Sequence, residues 1–400
     1  MNTPSVWLFL VFLALPQFGL AEMAYLTQGP KVIPSQYIVT LNPGVRPFVH
    51  LAKLHHFIST QPDAASQHIL HEYTIGTFVG YAIRCSEATL SFLLQDERDV
   101  YLVEADGLVA TAGIQQDPPS WGLDRVSQRS LPLDKSFEYP DSAGEGVDMY
   151  TIDTGIYVEH EDFEDRATWG FNAIAGSADR DGNGHGTHCS GTMAGALHGV
   201  AKRANLYAVK VLNDWGSGTW SDVIAGIEWV AMQHKPGKKS VANMSLGGGF
   251  VQAVNSACNA AVEQGVHLAV AAGNNAGDAC NSSPSSAELV VTVGATDIAD
   301  KMASFSNFGP CVEIFAPGVS ITSAWIGTPR ATNTISGTSM ASPHVAGVMA
   351  LYLAEGVEPT IEILQGEATE DIIMNIPTNT VNLFVYSDEK GPSNITSTHS

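Results

Sequence analysis

Three short segments carry side chains that could do nucleophilic chemistry. Tyr150-Thr151-Ile152-Asp153-Thr154-Gly155 offers a carboxylate, Gly182-Asn183-Gly184-His185-Gly186-Thr187-His188 an imidazole, and Ser336-Gly337-Thr338-Ser339-Met340-Ala341-Ser342-Pro343-His344 a hydroxyl. A serine hydroxyl attacks poorly until an imidazole takes its proton, and the imidazole needs a carboxylate to hold its tautomer and stabilise its charge. Asp153, His185 and Ser339 are therefore a candidate catalytic set for acyl transfer. Each has an ordinary alternative: Asp153 as a turn residue before glycine, Ser339 as a helix cap. At a helix start, the Ser339 N–H can face a developing oxyanion, and the amide of Asn274, in Ala271-Ala272-Gly273-Asn274, suits the second donor. A metal is the rival reading, since Asp179, Asp181, His185 and His188 cluster in sequence. The two histidines are three apart, however, and no Glu follows His185 to give the zinc-protease pattern.

The elements that must position these groups follow from the hydrophobic pattern. Apolar runs at 147–152, 205–211, 241–244, 266–272, 289–293 and 314–315 alternate with helical periodicity at 221–233, 252–264 and 339–353. Short, fully apolar strands alternating with helices predict a parallel sheet covered on both faces. Ligands bind such sheets at the carboxyl ends of the strands, where Asp153 falls. The exposed backbone of Gly216-Ser217-Gly218 and Ser245-Leu246-Gly247 could pair with an extended peptide. The region 35–109 reads separately, as a small α+β unit with strands at 37–41, 78–83 and 100–104 and a helix at 87–96. The stretch 111–120, with Asp117-Pro118-Pro119, reads as a linker.

Of 400 residues, 41 are acidic and 19 basic, a net charge of −22. That excess opposes nucleic acid and anionic membranes as partners. Residues 1–21 read as a secretory signal: the apolar run 6–15 is too short to span a bilayer, and Gly19 and Ala21 are the small residues before a cut. A secreted, extracellular protein is expected to pair some of its five cysteines. The polar tail, 388–400, is expected to be disordered.

Taken together, these segments resemble the subtilisin-like serine proteases, in particular the proteinase K and aqualysin-like branch. The words that carry the likeness are Asp153-Thr154-Gly155, Gly184-His185-Gly186-Thr187-His188-Cys189, Asn243-Met244-Ser245-Leu246-Gly247-Gly248-Gly249, Ala271-Ala272-Gly273-Asn274, Ser304-Phe305-Ser306-Asn307-Phe308-Gly309 and Gly337-Thr338-Ser339-Met340-Ala341-Ser342-Pro343-His344. The resemblance implies a three-layer α/β peptidase domain at 114–387 behind an inhibitory propeptide at 22–113. It implies Ser339 as nucleophile, His185 as general base and acid, Asp153 as orienting carboxylate, and Asn274 as oxyanion donor.

It further implies that Gly216, Ser217 and Gly218 pair with the substrate backbone. The walls of the specificity pocket would come from Ser245, Leu246 and Gly247 and from Ala271, Ala272 and Gly273. Autocatalytic removal of the propeptide is expected after Ala112 or Gly113. Cys280 and Cys311 match a disulfide of aqualysin-like members, Cys189 a free thiol beneath the histidine, and Cys258 is expected as a buried thiol. A structural calcium ion would be held by Glu313 with carbonyls near Glu288 and Val290. The activity implied is a monomeric, self-processing endopeptidase acting on proteins and peptides with apolar residues before the scissile bond. The alternative is a secreted binding protein that cleaves only itself and keeps its propeptide bound. An esterase or other acyl hydrolase fits the strand-pairing glycines less well. Asn281 and Asn394 are glycosylation acceptors by pattern.

Overall fold

The computed structural model describes residues 25–27, 32–107 and 112–388. The expected signal segment and all but the first residue of the expected tail, including Asn394, lie outside them. The chain divides at Val109/Ala110 into two units.

The N-terminal unit is a five-stranded sheet ordered Tyr25–Thr27, Val100–Gly107, Val32–Leu41, Phe78–Arg84, His68–Ile75, with helices Pro47–Ser59 and Glu87–Leu94. From Val32 on, the order β-α-β-β-α-β is a split βαβ arrangement. Its core joins Val39, Leu41, Leu51, Leu54, Tyr81, Ile83, Leu93 and Val103. The predicted strands and helix are present, accompanied by two further strands, Tyr25–Thr27 and His68–Ile75, and a further helix, Pro47–Ser59. Helix Pro47–Ser59 starts on a proline at its first position, where the missing N–H costs nothing. It buries Leu51, Leu54 and Ile58 at helical spacing. Strand His68–Ile75 is an edge strand with no buried residue, so no apolar alternation betrays it.

The second unit is built on a nine-stranded sheet. Its order is Thr369–Glu370, Leu383–Phe384, Ile314–Pro317, Val291–Thr296, Val266–Ala271, Lys239–Met244, Val147–Asp153, Asn205–Lys210, Ala167–Asn172. All neighbours are parallel except the antiparallel pair Thr369–Glu370 with Leu383–Phe384. Period-two alternation divides the side chains between two cores. Val147, Met149, Val241 and Ala269 join helices His185–Ala194 and Thr338–Ala354 on one face. Tyr150, Ile152, Ala242, Met244 and Leu268 join helices Trp220–Gln233 and Gln252–Glu263 on the other. This is the expected three-layer α/β architecture.

Val147–Asp153 is a central strand; the chain runs from it to one side, then crosses back to Lys239–Met244 on the other. The crevice for a ligand opens at the carboxyl ends of strands flanking such a reversal. Asp153, Lys210 and Ser245 lie there. The expected linker is a correction: Ala112–Gln116 is a strand, antiparallel to Ser136–Pro140. A Cβ at Gly113 would stand 2.3 Å from the Tyr139 ring, so a larger residue there would have to displace that ring.

Candidate active site

Asp153 closes the central strand with no exposed surface. Its Oδ1 accepts from the Thr154 N–H at 2.7 Å and from His185 Nδ1 at 2.8 Å, and its Oδ2 lies 3.0 Å from the same ring nitrogen. A buried carboxylate in this position fixes Nδ1 as the protonated atom and leaves Nε2 a lone pair. Burial alone would pull the imidazole down, but the Asp153 charge and hydrogen bond outweigh it, and His185 is held above its ordinary value.

His185 is the first residue of helix His185–Ala194, which docks against the segment after Asp153. Gly186 makes this contact: a Cβ would sit 2.1 Å from the Gly155 carbonyl oxygen. Thr154 ties the two segments, its Oγ1 accepting from Gly186 N–H and donating to Asp181 Oδ1, both at 2.9 Å. Asp181 also accepts from the N–H groups of Asn183, Gly184 and Thr187 and from Thr187 Oγ1. It is thus a buried brace for the histidine loop rather than a metal ligand. Lys210, fully buried and opposite Asp153 in register, donates to the Thr154 carbonyl at 2.6 Å and to Asp214 Oδ1 at 3.0 Å.

Ser339 is the second residue of helix Thr338–Ala354, so its N–H is one of the four that the helix leaves unpaired. Pro343 lies four residues on, and a proline has no N–H to offer the Ser339 carbonyl. Two other donors take its place, Ser245 Oγ at 2.8 Å and Cys189 Sγ at 3.4 Å. The chain Ser342 Oγ to Asn243 Oδ1 at 2.6 Å and Asn243 Nδ2 to Ser245 Oγ at 2.8 Å anchors this helix to the strand Lys239–Met244. Ser339 Oγ itself donates to the Ser245 carbonyl at 3.2 Å and makes no hydrogen bond to His185 among the described residues. Such bonds commonly tighten only when substrate is bound. Asn274 Oδ1 accepts from Thr338 N and Oγ1 at 2.8 and 3.0 Å, and its amide hydrogens have no hydrogen-bond partner among the described residues.

A cleft of about 700 Å³ is lined by His185, Gly216, Ser217, Gly218, Ser245, Leu246 and Gly247. The two glycine segments named from sequence thus meet on one cavity beside the imidazole. Trp220, Leu212 and Asn183 also line it; Trp220 could have been sought as the apolar residue just past Gly218. Ala271 and Ala272 are buried and do not line this cavity. Ala272 packs into the core, and Gly273 donates its N–H to Thr338 Oγ1 at 3.1 Å.

Cys280 and Cys311 form a disulfide, with Cα atoms 5.3 Å apart. Cys85, Cys189 and Cys258 are free and buried. Full burial raises the Cys189 thiol well above its ordinary value, so it remains a protonated donor. In the Asp153, His185 and Cys189 cluster the groups are already engaged, Asp153 with His185 Nδ1 and Cys189 Sγ with the Ser339 carbonyl. His188 is committed elsewhere, its Nε2 bonded to the Ile321 carbonyl at 3.0 Å. Burial pushes the Glu313 carboxyl up to about 7, and no side chain among the described residues bonds it. Glu288 is exposed and Val290 buried. Asn281 is exposed, whereas Asn243, in a third acceptor pattern, is wholly buried. No helix among the described residues is long and apolar enough to cross a membrane.

Residues 144–387 match the family described as Peptidase_S8, the Subtilase family. The chain is 48% identical over 339 residues to a subtilisin-like serine protease, Pen ch 18, of Penicillium rubens, an alignment covering 78% of this chain and 68% of that one. It is 47% identical over 352 residues to alkaline protease 2 of Aspergillus fumigatus, covering 80% and 70%. Among solved structures, a cold-adapted subtilisin-like serine proteinase aligns with a TM-score of 0.63 and 47% identity, covering 66% of this chain and 97% of the other.

Proposed function

The chain belongs to the subtilase family and is a serine endopeptidase, and from that premise we propose that Asp153, His185 and Ser339 are its catalytic triad. The observation that carries the reading is the short, buried Asp153–His185 hydrogen bond at the edge of a cleft whose far wall holds Ser339 through Ser245. His185 Nε2 takes the proton as Ser339 Oγ attacks the scissile carbonyl. The amide of Asn274 and the Ser339 N–H hold the oxyanion, and His185 then returns the proton to the leaving amine. Water hydrolyses the acyl-enzyme by the same steps in reverse roles. Gly216, Ser217 and Gly218 on one wall and Ser245, Leu246 and Gly247 on the other receive an extended peptide as an added strand. The neutral, partly apolar lining, with Trp220 and Leu212, favours apolar side chains over charged ones.

The N-terminal unit is read as an inhibitory propeptide, and the protein as a secreted zymogen that cuts itself near Ala112 and Gly113. A cut there leaves Ile114, Gln115 and Gln116 able to pair with Glu138, Phe137 and Ser136 as the mature amino terminus. Glu313 supplies a hard, half-buried carboxylate of the kind calcium takes, with carbonyls of the neighbouring chain as further oxygens. The ion's contribution would be to neutralise that carboxylate and stabilise the fold, with no part in the chemistry.

The test uses secreted wild type and Ser339→Ala, with intact mass and hydrolysis of a peptide ending in an apolar residue. Wild type is expected to be cut near Ala112 and to turn over peptide, while Ser339→Ala stays uncut and inactive. Self-cleavage without peptide turnover would favour a binding protein that retains its propeptide. Processing by Ser339→Ala at the wild-type rate would refute the assignment of the nucleophile.

A further inference from the structure

We propose that His50, Asp96 and Asp99 form a divalent transition-metal site, of the type zinc fills, inside the N-terminal unit. His50 lies on helix Pro47–Ser59 and has no exposed surface. Its Nε2 is 2.8 Å from the Tyr81 hydroxyl, itself buried, so that partner sets the ring's orientation. The other nitrogen, Nδ1, is buried with no hydrogen-bond partner. It points at two carboxylate oxygens, Asp96 Oδ2 and Asp99 Oδ2, each 3.6 Å away. That is too long for a hydrogen bond. It is close to the spacing of two ligands on one tetrahedral zinc ion, about 3.3–3.5 Å for bonds of about 2.0–2.2 Å.

The donor chemistry fits as well. In the tautomer whose Nε2–H donates to the Tyr81 hydroxyl, Nδ1 keeps a lone pair facing the two carboxylates, and a cation between them relieves that opposition. A nitrogen with two oxygens suits zinc better than calcium or magnesium, which take oxygen alone. Solvent would complete the tetrahedron from the side of the part-exposed acids. The groups behind the ligands are in place: Tyr81 bonds the far ring nitrogen, and Asn42 Nδ2 donates to the carbonyls of Glu97, Arg98 and Val100, fixing the turn that carries both acids. Lys53 Nζ now sits 2.5 Å from Asp99 Oδ2. Its side chain is half exposed and competes with the ion for that oxygen. The site depends only on the fold of this unit and not on the proposed catalytic roles. A bound ion would staple the helix to the turn before strand Val100–Gly107 and so stabilise a small unit with a small core.

Zinc alone is titrated by calorimetry into the full chain carrying Ser339→Ala, which keeps the unit attached. One binding event is expected, weakened at least about tenfold by Asp96→Asn, strengthened by Lys53→Met, and accompanied by a rise of at least about 4 °C in the unit's melting temperature. Absence of binding, or equal affinity in parent and Asp96→Asn, overturns the proposal, the latter by placing the ion elsewhere. Should Asp96→Asn fail to fold, Lys53→Met decides: an unchanged affinity overturns the site and a tighter one sustains it.

Discussion

His185 shows how one contact sets chemistry and stability against each other. The Asp153 charge holds the imidazole above its ordinary value of 6.5, so in the proposed triad the neutral base accumulates only above that pH. The acid limb of kcat/KM is expected above pH 6.5 and to move down in Asp153→Asn, with kcat lower by on the order of 10⁴-fold. The stability that the charged pair provides runs the other way. It is complete below the unfolded value and is lost as pH rises through the raised folded one. Glu313 is an acid displaced upward, from 4.5 to about 7. Between these values the folded state binds more protons than the unfolded, so stability falls with rising pH. Glu313→Gln should flatten that slope in melting curves taken across the interval. Added calcium should raise the melting temperature of wild type above pH 7 and leave Glu313→Gln unmoved.

At the scale of elements, the site is a junction of two helix starts and the ends of central strands. The histidine helix reaches its depth only because Gly186 has no side chain. Gly186→Ala would drive a methyl into the Gly155 carbonyl, a backbone atom that cannot rotate away. We expect a loss of about 1–3 kcal/mol in denaturant unfolding, with kcat falling more than KM rises, because the ring is displaced while the cleft walls stay. The serine helix is held differently. Pro343 frees the Ser339 carbonyl, and Ser245 and Cys189 claim it. The proline in Ser339-Met340-Ala341-Ser342-Pro343 thus supports the placement of the proposed nucleophile, although it lies outside the chemistry.

Across the whole second unit, the sheet is covered by a core on each face, and the disulfide joins the segments on either side of the buried strand Val291–Thr296. Cys280 and Cys311 are separated by 31 residues, for which the chain-entropy model gives roughly 3–4 kcal/mol. Replacing both with serine should lower the melting temperature by roughly 6–12 °C. Activity at room temperature should persist, because neither cysteine lines the cleft.

The sequence by itself determined the alternation of strand and helix, the three candidate reactive residues and the glycine walls of the cleft, while the pairing of Cys280 with Cys311 came from the family resemblance. Those features are legible because their signals are local: an apolar run, a strand-ending Asp, glycines where no side chain fits. Only the tertiary structure decided what lies between distant segments. Asp181 as a brace, Lys210 beneath Thr154, the thiol that replaces a proline's missing N–H, and the strand Ala112–Gln116 where a linker was expected all depend on partners tens to hundreds of residues away. The same holds for His50, an unremarkable histidine on an amphipathic helix until folding seals its ring against two carboxylates. A pattern of residue types specifies which groups are available. The burial and distances that turn them into a site exist only once the chain is packed.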